Sequence, residues 1–281
     1  MKRISVIGAG TMGAGIAQIA VEAGYQVWLR DIENGFVEKG IGTIKRFLSR
    51  KLEKEKITKE QYDDILGRLN GTTDLKTALK GAELVVEAVL EKMDLKKEVF
   101  KELGNLCGKD TVLATNTSTL SITEIASAAR YPERVVGTHF FNPVPLMRLV
   151  EVVKGERTSE EVVKKAANFC EAVGKTPIIV KDVPGFIVNR FLCLLYNEGA
   201  YQVQNQIASK EDIDKGLKLG ANHPMGILEL MDVVGVDVIY DALSSLWEST
   251  KEERYKPCPL LFEMVKTNRL GRKTGEGFYK Y

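Results

Sequence analysis

The chain has two imidazoles, His139 and His223, and imidazole is the side chain best suited to moving a proton near neutral pH. His139 follows the apolar run Val135-Val136-Gly137-Thr138 and precedes Phe140-Phe141-Asn142-Pro143. Catalytic groups in open α/β sheets collect at the carboxyl ends of strands, which is the place predicted for His139. Glu151 lies inside a second apolar run, Leu149-Val150-Glu151-Val152-Val153. A carboxylate there needs a partner, and a histidine supplies one whose tautomer the carboxylate then fixes. Together they read as an acid/base and its orienting group. The residues alone leave a plainer reading open, a strand-end histidine and an outward-facing glutamate of an edge strand. His223, in Ala221-Asn222-His223-Pro224-Met225-Gly226, has no strand end and no evident carboxylate, so it reads as structural or as a cleft wall.

Other polar groups could meet a substrate. Asn116-Thr117-Ser118-Thr119 closes another apolar run. Ser118 could exchange a hydrogen bond with a substrate oxygen, because Ser121 is the better placed cap for a helix starting near Ile122. Asn189 is expected one turn into a buried helix after Pro184-Gly185-Phe186. A buried amide needs partners, and either a substrate oxygen or an inter-helix hydrogen bond would serve. Lys45, Arg46, Arg50, Lys51 and Lys54 line a charged helix, as a solvated face or as a site for phosphates.

A cofactor is written into the first residues. Ile4-Ser5-Val6-Ile7 runs into Gly8-Ala9-Gly10-Thr11-Met12-Gly13, then a helical pattern ends at Gly24, and Val27-Trp28-Leu29-Arg30 leads to Asp31. This is the dinucleotide-binding pattern in its strand–turn–helix–strand context. Gly8 permits the tight turn, Gly10 lets backbone approach a pyrophosphate, and Gly13 lets helix and strand pack closely. The helix start offers N–H groups and positive dipole to the phosphates. Asp31 can accept from a ribose diol and repel a 2′-phosphate, which favours NAD over NADP. Arg30 would soften that preference if it turned toward the site.

These groups need a scaffold. The 281 residues carry 40 basic and 38 acidic side chains, for a net charge of +2, which gives no support to a nucleic-acid partner. Apolar content of 44% fits a soluble globular protein, and no run is long enough to span a bilayer. Cys107, Cys170, Cys193 and Cys258 form no metal-ligand pattern and read as reduced thiols of a cytoplasmic protein. Short apolar runs at Leu84-Val85-Val86, Val112-Leu113-Ala114, Val135-Val136, Leu149 to Val153 and Ile178-Ile179-Val180 alternate with helical patterns. These helices are expected from Asn34 to about Lys56, from Thr58 with a Thr58/Gln61 capping box, and over Leu95–Leu106, Ile122–Ala129 and Glu160–Val173. The expected fold class is α/β, a Rossmann-type doubly wound sheet over 1–182 followed by a smaller all-helical domain over 183–281. The first half of a helix over Phe186–Gln206 is apolar nearly all round, which predicts burial in a core or against a second subunit. A homodimer or higher homo-oligomer, with the helical domain as cleft wall and dimerisation surface, is therefore expected.

The whole chain resembles the 3-hydroxyacyl-CoA dehydrogenase family. The resemblance is carried by Gly8 to Gly13, Asn116-Thr117-Ser118, His139 to Pro143, Pro184-Gly185-Phe186-Ile187-Val188-Asn189-Arg190 and Gly275-Glu276-Gly277-Phe278-Tyr279. It implies interconversion of a short-chain 3-hydroxyacyl-CoA, such as (S)-3-hydroxybutyryl-CoA, and its 3-oxo form, acetoacetyl-CoA, with a nicotinamide cofactor. It assigns proton transfer to His139, orientation of His139 to Glu151, and the C3 oxygen to Ser118 and Asn189. It also implies that Glu91, Lys96, Asn116, Asn142 and Lys273 line the cofactor, and it favours CoA phosphates for Arg50, Lys51 and Lys54. Thr119 stands where the family suggests a second serine, and it keeps the hydroxyl. A hydroxyacid or sugar-acid dehydrogenase acting on a non-CoA substrate is the competing expectation.

Overall fold

A computed structural model describes residues 1–281, which divide into two compact units, Met1–Val183 and Pro184–Tyr281. The first unit runs β1 (Arg3–Ile7), α1 (Thr11–Glu22), β2 (Gln26–Arg30), α2 (Asn34–Glu53), α3 (Lys59–Gly67), β3 (Leu69–Thr72) and α4 (Leu75–Leu79). It continues β4 (Leu84–Glu87), α5 (Met93–Leu106), β5 (Val112–Thr115), α6 (Ile122–Ala126), β6 (Val135–Phe140), β7 (Leu149–Lys154), α7 (Glu160–Ala172) and β8 (Thr176–Lys181). The strands form one sheet in the order β3-β2-β1-β4-β5-β6-β7-β8, parallel except between β6 and β7. β3 is absent from the sequence expectation because Leu-Asn-Gly-Thr has no apolar run and forms only an edge.

Near-continuous apolar strands mean a sheet covered on both faces. Alternation separates the two cores. Ile4, Val6, Val27, Leu29, Leu84, Val86, Val112, Ala114, Val136, Val150 and Val152 pack with α1, α2 and α7, including Ile16, Leu48 and Phe169. The intervening residues, such as Val85, Leu113, Val135 and Val153, face the side covered by α4, α5 and α6. His139 and Glu151, odd-numbered in β6 and β7, lie on this second face. Thr58 and Gln61 form the expected capping box, and Ser121 caps α6 by accepting from the Glu124 N–H.

The second unit holds no strand, and its helices are α8 (Val188–Gln204), α9 (Lys210–Gly220), α10 (Ile227–Val234), α11 (Val236–Thr250) and α12 (Pro259–Lys266). Tyr196, Ala200, Leu228, Met231, Leu243, Leu246, Leu261 and Phe278 form its core. Two buried carboxylates fix the terminal Gly-Glu-Gly-Phe-Tyr motif. Asp232 accepts from the N–H groups of Phe278 and Tyr279 at 2.9 and 2.8 Å. Asp214 accepts from the Tyr279 hydroxyl at 2.8 Å and also closes the start of α10 through the Leu228 N–H. A Cβ at Gly277 would lie 2.0 Å from Asp232 Oδ1, so the motif needs glycine there.

One expectation about α8 is corrected. It starts at Val188 instead of Phe186, because Gly185 and Phe186 adopt left-handed φ values of 74° and 49°. Within the unit its apolar first half is not buried all round, so of the two expected burials the core alone does not account for it. Cys193 and Tyr196 are buried, but Phe191 is 68% exposed, because a surface helix buries only one stripe against a small core.

All four cysteines are free and buried. Burial pushes the Cys170 and Cys193 thiols up to about 12, and Cys107 to about 11 against the pull of Arg134, so they stay protonated. At the β1–α1 turn a Cβ on Gly13 would sit 1.8 Å from the Gly8 carbonyl oxygen. Gly13→Ala must therefore pry strand and helix apart, and a loss of about 1–3 kcal/mol is expected from urea unfolding, the usual cost of overpacking.

Candidate active site

Antiparallel pairing sets His139 of β6 directly opposite Glu151 of β7. Directly opposed side chains in such a ladder lie on one face with their Cβ atoms close. His139 Nδ1 and Glu151 Oε2 are 2.6 Å apart, and both residues are buried. The Phe141 ring tilts over the imidazole with centroids 4.4 Å apart. The segment linking the two strands is held by Lys175, whose ammonium donates to the carbonyls of Val144 (2.5 Å) and Met147 (2.8 Å). Burial, opposed by Glu22, keeps the Lys175 pKa below its ordinary value. Asn116 Oδ1 accepts from the Phe140 N–H at 3.0 Å, which ties the end of β5 to the end of β6.

Glu91 organises the segment after β5. Its Oε1 accepts from the N–H groups of Ser118 (2.8 Å) and Thr119 (3.2 Å) and from the Thr117 hydroxyl. Burial alone would raise the Glu91 pKa, but the Lys96 ammonium and the hydrogen bonds from Thr117, Ser118 and Thr119 outweigh it and hold it below the usual carboxylate value. Lys96 is fully buried, with Nζ 2.6 Å from Glu87 and 3.4 Å from Glu91. Glu87 was not among the expected site residues. The signal for it was a carboxylate at the end of an apolar run, the same signal that marks Glu151.

The glycine turn fits a dinucleotide. A Cβ at Gly8 would come within 2.4 Å of the Ala88 carbonyl oxygen, whereas one at Gly10 would meet nothing within 4 Å. The turn is thus packed behind and open where a pyrophosphate would approach. No side chain caps the start of α1, and Ala9 and Met12 flank Gly10 and Thr11 around it. The Asp31 carboxylate is held by the N–H groups of Ala9 and Ile32, both at 2.7 Å. Arg30 Nε donates to the Thr73 carbonyl at 3.1 Å. Asn142 lies just past β6 and is exposed.

Other expected residues are placed less tightly. Asn189 is in the first turn of α8 and half-buried, not one turn inside a buried helix. Lys273 pairs with both oxygens of Asp237 in the helical unit. Arg50 and Lys54 are exposed, with the Arg50 guanidinium over the Phe47 ring. Lys51 differs from them, because Glu22 takes its ammonium at 2.6 Å. His223 lies half-buried in the α9–α10 loop. No helix is long and apolar enough to cross a membrane.

A mostly parallel sheet that carries a dinucleotide turn and a buried histidine–carboxylate pair defines a nicotinamide-type oxidoreductase scaffold. Residues 3–183 match the 3-hydroxyacyl-CoA dehydrogenase NAD binding domain and 185–281 the C-terminal domain of that enzyme, so the chain belongs to the 3-hydroxyacyl-CoA dehydrogenase family. It is 44% identical over 279 residues to 3-hydroxybutyryl-CoA dehydrogenase of Clostridioides difficile, covering 99% of each. It is 42% identical to human mitochondrial hydroxyacyl-coenzyme A dehydrogenase, over all of this chain and 91% of that one. The crystal structure of (S)-3-hydroxybutyryl-CoA dehydrogenase from Ralstonia eutropha superposes with a TM-score of 0.98 at 40% identity, covering 100% and 99% of the two chains.

The depressed Glu91 pKa has a pH consequence. A carboxylate whose folded pKa lies below its unfolded value stabilises the fold above the unfolded pKa, and this is lost as pH falls through the folded one. Urea unfolding below about pH 4.3, the ordinary glutamate value, should show that loss in the wild type and less of it in Glu91→Gln.

Proposed function

We propose that the chain interconverts a short-chain 3-hydroxyacyl-CoA, with (S)-3-hydroxybutyryl-CoA as the reference substrate, and the corresponding 3-oxoacyl-CoA, using NAD. The observation that carries this reading is the buried 2.6 Å contact between His139 and Glu151 at paired strand positions. When bound, the nicotinamide supplies or accepts the hydride at C3. In the reducing direction His139 gives a proton from Nε2 to the forming C3 alkoxide, and in oxidation it takes that proton back. Glu151 holds Nδ1, which fixes the orientation of the ring. Ser118, on the segment that Glu91 organises, donates to the same oxygen and stabilises its developing charge. Family resemblance assigns Asn189 of the helical unit to that oxygen as well, and assigns Glu91, Lys96, Asn116, Asn142 and Lys273 to the cofactor's surroundings.

Preference for NAD over NADP is part of the reading. The Asp31 carboxylate is fixed by two backbone N–H groups, one from the glycine turn itself, and its charge opposes a 2′-phosphate. Arg30 is engaged with Thr73, which supports the same preference. The CoA phosphates fall to Arg50 and Lys54, with Lys51 contributing less because of Glu22. The exposed apolar side chains Phe191, Leu219 and Val238 of the helical unit support its role in dimerisation.

Acetoacetyl-CoA added to purified protein with NADH or NADPH tests the reading. NADH should be consumed, with kcat/KM higher than for NADPH by roughly tenfold or more, since juxtaposed like charges cost several kcal/mol. Turnover of free 3-hydroxy acids with none on the thioester would favour the non-CoA alternative. His139→Gln should lower kcat by about 10²–10⁴, the usual contribution of a general acid–base, with the NADH Kd from fluorescence titration unchanged. Wild-type turnover in that variant would remove His139 from the mechanism.

A further inference from the structure

We propose that Glu87 is a positioning residue for this reaction: it pins Lys96, Lys96 steadies Glu91, and Glu91 holds the segment that carries Ser118. The inference rests on the role given above to Ser118. Glu87 ends β4, in register with Ile7 of β1 on one side and Thr115 of β5 on the other. It thus stands where three site-forming connections leave the sheet. Its carboxylate is fully buried, and every contact made there is a hydrogen bond to a fixed donor. Oε1 accepts from the Val89 N–H at 2.7 Å and from Lys96 Nζ at 2.6 Å, and Oε2 accepts from the Thr115 hydroxyl at 2.6 Å.

The charges explain why Glu87 matters beyond its own strand. One buried ammonium faces two carboxylates, the closer on Glu87 at 2.6 Å and the farther on Glu91 at 3.4 Å. Because Glu87 satisfies Lys96 first, Glu91 is left to spend its other oxygen, Oε1, on Thr117, Ser118 and Thr119. A buried cation cannot remain unpaired. Without the charge on Glu87, Lys96 has only Glu91 to turn to. The Glu91 carboxylate is then drawn toward the ammonium and away from the N–H groups of Ser118 and Thr119. A catalytic group displaced by about 1 Å can cost of order a hundredfold in rate.

The mechanism predicts a rescue. Glu87→Gln should lower kcat for acetoacetyl-CoA reduction by roughly ten- to hundredfold, within the range that misplacement produces. The double variant Glu87→Gln/Lys96→Met holds neither charge, keeps the volume of the lysine stem, and frees Glu91 to hold the segment again. It should therefore be faster than Glu87→Gln alone, although it carries one more substitution. Amide hydrogen exchange supplies a readout independent of turnover. Peptides over 117–119 should lose protection in Glu87→Gln and regain it in the double variant, with α1 and β2 unchanged in both. A purely structural role would make the two changes additive and loosen β4 and β5 more in the double variant. The inference is overturned if folded Glu87→Gln has wild-type kcat and wild-type exchange, or if the double variant is no faster and no better protected than the single one. If the wild type itself fails to turn over the thioester, the functional reading falls, and the exchange comparison still decides whether Glu87 controls the segment.

Discussion

Buried carboxylates govern this structure, because an ionised oxygen removed from water must be met by donors at fixed positions. Glu151 meets the imidazole of His139, and Glu87 meets Lys96, Thr115 and the Val89 N–H. The half-buried Asp182 likewise gathers the Ser121 hydroxyl and the N–H groups of Ile122 and Thr123 at the start of α6. Asp214 and Asp232 do the same for α10 and for the terminal motif of the helical unit. Each of these acids converts a loop or a helix start into a defined geometry. The apolar cores supply stability, whereas the acids decide where polar side chains point.

The second determinant is one reversal of strand direction. Had β7 run parallel to β6, its connection would have crossed a face of the sheet, and Glu151 would have been delivered to a different level. The antiparallel return brings the start of β7 beside the end of β6 and sets Glu151 across from His139 without a long crossover. Alternation then puts both on the face that also carries Glu87 and Thr115. The sheet therefore sorts its residues into a side under α1, α2 and α7 that is apolar but for residues such as the buried Thr138, and a side that turns polar at the strand ends.

Much of this was legible because polar residues interrupt apolar strands. Glu151 stood out within Leu149 to Val153, and the dinucleotide turn stood out because each glycine has its own steric role. Glu87 is less visible because it stands at the end of the apolar run Leu84-Val85-Val86 and not inside it, where a carboxylate reads as the start of a loop. Lys96 resembled any other charge on an amphipathic helix, and nothing local marks it as buried. Asp182, Asp214, Asp232 and Lys175 depend on partners brought together only by tertiary folding, so no spacing announces them. The start of α8 at Val188 is not legible because the left-handed backbone at Phe186 has no signature in an apolar sequence. Composition reports how apolar that helix is, and not whether the core of its own unit or a second subunit receives it.

The segment between β6 and β7 shows how this scaffold can diversify. Both of its ends are fastened into the ladder, and its middle is fastened by the Lys175 ammonium on two backbone carbonyls. Backbone carbonyls are present whatever the side chains, so the tether is indifferent to sequence but intolerant of added length. Leu146 and Met147 meanwhile project outward, 75% and 42% exposed. Substitution at those two positions alters the surface while leaving the strand register intact, whereas an insertion would strain the histidine–glutamate pair. Variation here is therefore channelled into side-chain exchange on a backbone of constant length.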